Sequence, residues 1–280
     1  MPLLPVSDLE KWIPAFRGKA GRALAESLRG LLGIRTLSGL YDEICGSEGA
    51  DFARNLLQRL NVRYRIGHPD RLAQLPEGPF VTVSNHPYGG LDGVMLIDLM
   101  GHLRDDFKVM ANEFLTVVKA LTPSLIVVNP SNKANTGVTE RNIRGTHEAF
   151  RQLSSGHPVG FFPSGAVSDL HLRGQCAIRD RDWQMSTVRL IKKARVPVVP
   201  VRFFDRNSLF FYLLGLVDWR VRVTRLPREL LNKRDTTPRI GIGEVLSVEA
   251  QDRVTDLQAY RSLLRGSVYD MPLPDSFTEL

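Results

Sequence analysis

The apolar positions follow two alternating periods along most of the chain. Leu9, Trp12, Ile13 and Phe16 recur at helical spacing, as do Leu24, Leu28, Leu31 and Leu32, with Lys19, Arg22 and Arg29 between them. Residues 8–34 are therefore expected to form two amphipathic helices broken near Arg17-Gly18. A basic helix bearing a tryptophan suits a membrane interface and a hairpin packed on a core equally well. Residues 50–60 repeat the helical period, and residues 61–66 alternate like a strand with one wet face. Further on, short apolar runs end at turns: 80–84, 107–110, 125–128, 159–162, 196–201 and 239–243. Helices are expected between them over 93–103, 113–120, 138–153, 187–194 and 252–264. Strands alternating with helices predict an α/β fold with a central, mostly parallel sheet flanked by helices.

One stretch breaks the alternation. Residues 208–216 (SLFFYLLGL) are strongly apolar but too short to span a bilayer, and Trp219, Arg220, Arg222, Arg225 and Arg228 follow closely. An apolar, aromatic knob beside a basic run suits docking into a headgroup zone. The alternative is a core helix followed by a strand with one basic face. Charge strengthens the surface reading, because the chain carries a formal net charge of +7 and a pI near 9.6. Anionic lipid, nucleic acid or an acidic carrier would each be attracted. The two cysteines, Cys45 and Cys176, predict no disulfide framework or cysteine-rich metal site. No secretion leader is visible, and no run of about 18 apolar residues predicts a spanning helix.

The candidate chemistry lies where the run at 80–84 ends. Asn85-His86-Pro87 forms a corner, Gly89-Gly90 a bend, and Asp92 opens the next helix. Pro87 keeps His86 out of helical dihedrals, and the glycines let the chain turn back. Asp92 is then expected within reach of the imidazole. A carboxylate at one ring nitrogen leaves the other free as a base and stabilises the imidazolium. The structural alternative is a corner histidine with Asp92 complementing the helix dipole. A second strand-to-turn junction, Phe162-Pro163-Ser164-Gly165, offers backbone N–H groups to an oxyanion or phosphate.

Asn85-His86-Pro87 with Asp92-Gly93 resembles the first motif of the glycerolphosphate/lysophospholipid acyltransferase family. That motif usually has four residues between His and Asp; here there are five, Pro87 to Leu91. The wording HPYGGLDG is closest to the hemolysin-like and ornithine-lipid acyltransferase branch. Phe162-Pro163-Ser164-Gly165 is similar to the third motif, but Ser164 stands for its glutamate, Ala166 for its threonine and Val167 for its arginine. Asn129 falls where the second motif places an arginine. These departures point away from a glycerol-phosphate acceptor toward a zwitterionic or amino-acid-based lipid. Residues 196–201 match the fourth motif, a wall of the acyl pocket.

The resemblance implies the family's layered fold with an N-terminal helical extension (1–50), an acyltransferase domain (51–265) and a loose tail (266–280). It implies His86 as general base, Asp92 as its partner, and Asn85, Gly89, Gly90, Phe162, Pro163, Ser164 and Gly165 at the substrate. The acyl donor would be an acyl-carrier-protein or coenzyme A thioester, with no cofactor or metal. The expected setting is peripheral, on the cytoplasmic side of an inner membrane, against anionic lipid. No zinc His-Glu-x-x-His, no serine-hydrolase Gly-x-Ser-x-Gly and no phosphate loop occurs. A nucleic-acid module lacks any recognised motif. His68, His102, His147, His157 and His171 are expected to be ordinary surface or core residues. The competing class is a non-enzymatic, basic membrane-binding protein with the same fold.

Overall fold

The computed structural model describes residues 18–128, 140–172 and 176–279, with only the backbone given for 140–142. Its centre is a sheet of eight strands among the described residues, ordered β10-β1-β9-β8-β2-β5-β3-β4. These are β1 (Arg65–Gly67), β2 (Val81–Ser84), β3 (Lys108–Asn112), β4 (Leu125–Val128), β5 (Val159–Phe161), β8 (Val198–Phe203), β9 (Arg239–Ile242) and β10 (Thr278–Glu279). The run β8-β2-β5-β3-β4 is parallel throughout, β9 pairs antiparallel with β8, and β10 antiparallel with β1. Parallel strands covered on both faces read as continuous apolar runs, which is why Val81–Ser84 is wholly buried.

Helices cover both faces. On one lie α2 (Ile34–Ile44), α3 (Gly49–Arg59) and α4 (Leu91–Leu103), packed with Val199, Val201, Phe203 and Ile240 of the sheet. On the other, α5 (Glu140–Ser154), α6 (Met185–Ala194) and α11 (Leu257–Tyr269) pack on Val81, Val83, Val159 and Phe161. α4 is apolar nearly all round because α3 packs against it from outside. Its one buried acid beyond the first turn, Asp98, accepts from the Tyr64 hydroxyl at 2.6 Å and Arg54 at 3.1 Å. The remaining elements are α1 (Gly18–Leu31), a β6–β7 hairpin (Asp169–His171, Ala177–Arg179), α7 (Leu209–Val217), α8 (Trp219–Thr224), α9 (Leu226–Leu231) and α10 (Val248–Asp252).

The expected strands all form, with shifted ends. The first starts only at Arg65, since Asn61 takes a left-handed conformation (φ 48°). The helix expected over 113–120 is instead two 3₁₀ turns, Glu113–Val117 and Lys119–Ser124. Thr116, Val117 and Val118 disfavour an α-helix there, and Pro123 lacks an N–H. The basic stretch after Trp219 is helical, not a strand. The tail is not loose: α11 runs on to Tyr269 and β10 joins the sheet edge. In α1, Leu24 and Leu31 are exposed. The first helix expected in the extension, and Asn129, lie outside the described residues.

Candidate active site

β8, β2 and β5 are parallel neighbours, so the turns that follow them gather at one edge of the sheet. The turn after β2 carries Asn85, His86 and Gly89; that after β5 carries Phe162 to Gly165; that after β8 carries Asn207. Asn85 locks two of them. Its side-chain amide donates to the Phe203 carbonyl at 2.9 Å, and its Oδ1 accepts from the Phe203 N–H at 2.8 Å. This pair joins the residue after β2 to the last residue of β8. Asn207 donates from its amide to the Tyr88 carbonyl at 2.9 Å, closing the same corner from the β8 side.

His86 and Asp92 meet. Nδ1 of His86 lies 2.9 Å from Oδ2 of Asp92, whose side chain is fully buried. The approach is close but off the line of an ideal ring N–H hydrogen bond, and no other group among the described residues takes Nδ1. The backbone holds Asp92 firmly: Oδ2 accepts from the N–H groups of Tyr88 (3.0 Å) and Gly89 (3.2 Å), and Oδ1 from that of Gly93 (3.0 Å). The acid therefore ties the turn ahead of α4 to its first turn and faces the imidazole at once. Gly89 makes this possible with φ +85°; a Cβ there would sit 2.6 Å from Val167 and 2.8 Å from Leu226.

His86 keeps 16% of its side-chain surface exposed, and Nδ1 is not part of that exposure. The Phe162 ring stands against it, with centroids 4.3 Å apart. Burial would lower the imidazole pKa, but the carboxylates of Asp92 and, farther off, Asp180 outweigh it and hold the pKa above its ordinary 6.5.

Asp180 had no signal in the sequence beyond a nearby tryptophan, yet it organises the corner. Its Oδ1 accepts from the His86 backbone N–H (3.1 Å) and the Ser168 hydroxyl (2.6 Å), and its Oδ2 from Trp183 Nε1 (3.1 Å). The Ser168 N–H returns a bond to the His86 carbonyl at 2.9 Å. Burial raises the Asp180 pKa, while the bonds from Ser168, His86 and Trp183 pull it back. Both backbone groups of His86 are thus held by one Ser168–Asp180 unit.

The Phe162–Gly165 turn is adjacent but largely engaged with itself. The Ser164 hydroxyl donates to the Ala166 carbonyl at 2.7 Å, and the Gly165 N–H to the Phe162 carbonyl at 2.9 Å. Gly165 has φ +64°, and a Cβ would strike the Gln184 side chain. Like Gly89, whose N–H goes to Asp92, Gly165 has no N–H to spare for an oxyanion. Arg222 of α8, buried beside this turn, pairs with Asp169 at 2.6 Å. Two histidines set aside in the sequence do have acidic partners: His102 with Asp98 and Asp51, His157 with Asp106, all away from this edge. The concave surface along Glu43, Ser47, Asn55 and Arg59 includes none of these site residues.

A family profile described as Acyltransferase matches residues 44–271, most of the chain and all of the site. The chain belongs to the acyltransferase family. Among curated relatives of this acyltransferase, a lyso-glycine lipid O-acyltransferase of Phocaeicola vulgatus is 26% identical over 276 residues, covering 94% of each chain. A second protein of that name, from Bacteroides thetaiotaomicron, is 27% identical over 230 residues, covering 80% of each. Among solved structures, the 1-acyl-sn-glycerophosphate (LPA) acyltransferase PlsC of Thermotoga maritima aligns with a TM-score of 0.49 at 15% identity, over 79% of this chain and 75% of that one.

Proposed function

We propose that this acyltransferase moves a fatty acyl chain from an acyl-carrier-protein or coenzyme A thioester to a hydroxyl (or amine) of a lysolipid. It would work peripherally at the cytoplasmic membrane surface, where such thioesters occur. The observation that carries this reading is the imidazole at the sheet edge, backed by a buried carboxylate 2.9 Å from Nδ1. Asp92 keeps the proton on Nδ1, so Nε2 is the base. Nε2 takes the acceptor's hydroxyl proton as its oxygen attacks the thioester carbonyl carbon. The tetrahedral oxyanion collapses, the C–S bond breaks, and the imidazolium returns its proton to the departing thiolate. The products are an ester and a thiol.

The other residues divide by reach. Phe162, whose ring stands against that of His86, would border the acyl chain, with Pro163 following it in the same turn. Asn85 would act by holding His86 in place, because both ends of its amide are engaged by Phe203. Oxyanion contacts would fall to backbone N–H groups other than those of Gly89 and Gly165. An amino-acid-based acceptor is favoured over a phosphate-bearing one by Val167 in the place of an arginine. The names of the two curated relatives support the same choice.

The test is thiol release from acyl-coenzyme A and acyl-carrier protein, with lyso-glycine lipid and lysophosphatidate as rival acceptors. Wild type is expected to turn over the amino-acid lysolipid faster. His86→Ala should lower the rate by at least about 100-fold. Equal rates for wild type and variant would overturn the assignment.

A further inference from the structure

α7 and α8 form a short hairpin whose two sides differ in kind. On the inner side Phe211 and Tyr212 are buried, and the Tyr212 hydroxyl donates to the carbonyl of Pro87, next to His86, at 2.7 Å. Arg222 donates to the carbonyls of Ser168 (3.0 Å) and Val167 (3.3 Å). The hairpin is therefore fastened to both turns of the active site. On the outer side Leu209, Phe210, Leu213, Leu216, Val217 and Trp219 are all exposed, Val217 by 84% and Trp219 by 53%. Single exposed apolar residues are ordinary, but a contiguous set on two packed helices marks a contact surface.

The charge around this knob is mainly positive, with Asp218 beside Arg220 (3.7 Å) and Glu229 paired with Arg225 (3.2 Å). Residues 206 to 228 include five arginines and one aspartate. Arg206, Arg220 and Arg228 are exposed, and the Arg225 guanidinium lies over the Phe210 ring at 4.6 Å. Apolar side chains ringed by guanidinium groups match the two layers of an anionic bilayer surface: acyl chains below, phosphates at the rim. We propose that the α7–α8 hairpin seats the enzyme on an anionic lipid bilayer and so brings the His86 corner against the membrane. This rests on the lysolipid reading above, since an acceptor lodged in the bilayer would then reach His86 without leaving it.

The test is cosedimentation of the full chain with phosphatidylcholine vesicles, with and without phosphatidylglycerol. Wild type is expected to bind the anionic vesicles, and less so as salt rises. The combined Leu213→Ser, Val217→Ser and Trp219→Ser variant should bind at least about tenfold more weakly. Arg220→Glu should weaken binding several-fold. Leu273→Ser, which alters an exposed leucine on the tail, should bind as wild type does. If the triple variant fails to fold by circular dichroism, Val217→Ser alone decides, with about threefold weaker binding expected. The His86→Ala variant separates the two readings: it should lose turnover and keep vesicle binding. The proposal falls if wild type ignores anionic vesicles or if the folded patch variants bind them unchanged. It falls equally if the substitutions dissolve a dimer, or release an acyl-carrier protein, and leave vesicle binding intact.

Discussion

Asp92 serves two partners, the start of α4 and the imidazole, and the two can be separated by substitution. Asp92→Asn keeps one acceptor oxygen, which can still take the Tyr88 and Gly89 N–H groups, leaves the Gly93 N–H without its acceptor, and removes the charge that holds the His86 pKa up. The proposed base must be neutral to act, so kcat/KM is expected to climb as pH rises through that raised pKa. Without the Asp92 charge the climb should move to lower pH, while the plateau falls. Asp180→Asn should shift it the same way but by less, because Asp180 meets His86 only at its backbone N–H. A role confined to stability would leave the profile in place. Asp180→Ala should also cost about 2–3 kcal/mol in denaturant unfolding, since Ser168, Trp183 and the His86 N–H all lose their acceptor. At this scale the His–Asp pair was legible because a proline, two glycines and a strand end leave a recognisable local pattern. Asp180 was not, because its partners come from turns 12 and 94 residues away. Nor does the sequence disclose that Gly89 and Gly165 have already used their N–H groups.

At the scale of elements, the turns are more demanding than the strands they join. Gly89→Ala would need a side chain at φ +85° and within van der Waals distance of Val167 and Leu226. A loss of about 1–3 kcal/mol is expected, read as a lower Tm, together with a fall in turnover as the His86–Asp92 contact opens. The strands were legible as runs of valine and isoleucine because both faces of the sheet are covered. The stretch at 113–124 was not, since its apolar spacing mimics a helix while its β-branched residues and Pro123 forbid a long one. The same ambiguity affected the arginine-rich segment after Trp219. Alternating Arg and Val suits a strand, but the Asp218 side chain accepts from the Arg220 N–H at 2.6 Å and starts a helix.

For the molecule as a whole, the last residues matter more than their composition suggests. Pro274 and Phe277 close over Gly67, and Phe277 also meets the Phe204 ring and the Arg239 guanidinium. Truncation after Met271 would uncover this edge of β1. It should cost roughly 2 kcal/mol for the lost aromatic burial, a Tm lower by about 4 °C or more, and a tendency to associate through the bared strand. A differential scanning measurement with light scattering would register both. The α/β class was legible from alternating periods alone. The sheet order was not, because β1, β9 and β10 are brought together from opposite ends of the chain.

The position of Asp92 carries a lesson about measuring such motifs. Its carboxylate is located by the first turn of a helix, and the loop ahead of that helix absorbs whatever length is left over. The meaningful ruler is thus where the helix begins, and counting positions from the histidine is a poor substitute. A variant with one residue more or fewer in that loop is expected to keep the same pair only where a glycine can take the left-handed turn that winds in the difference.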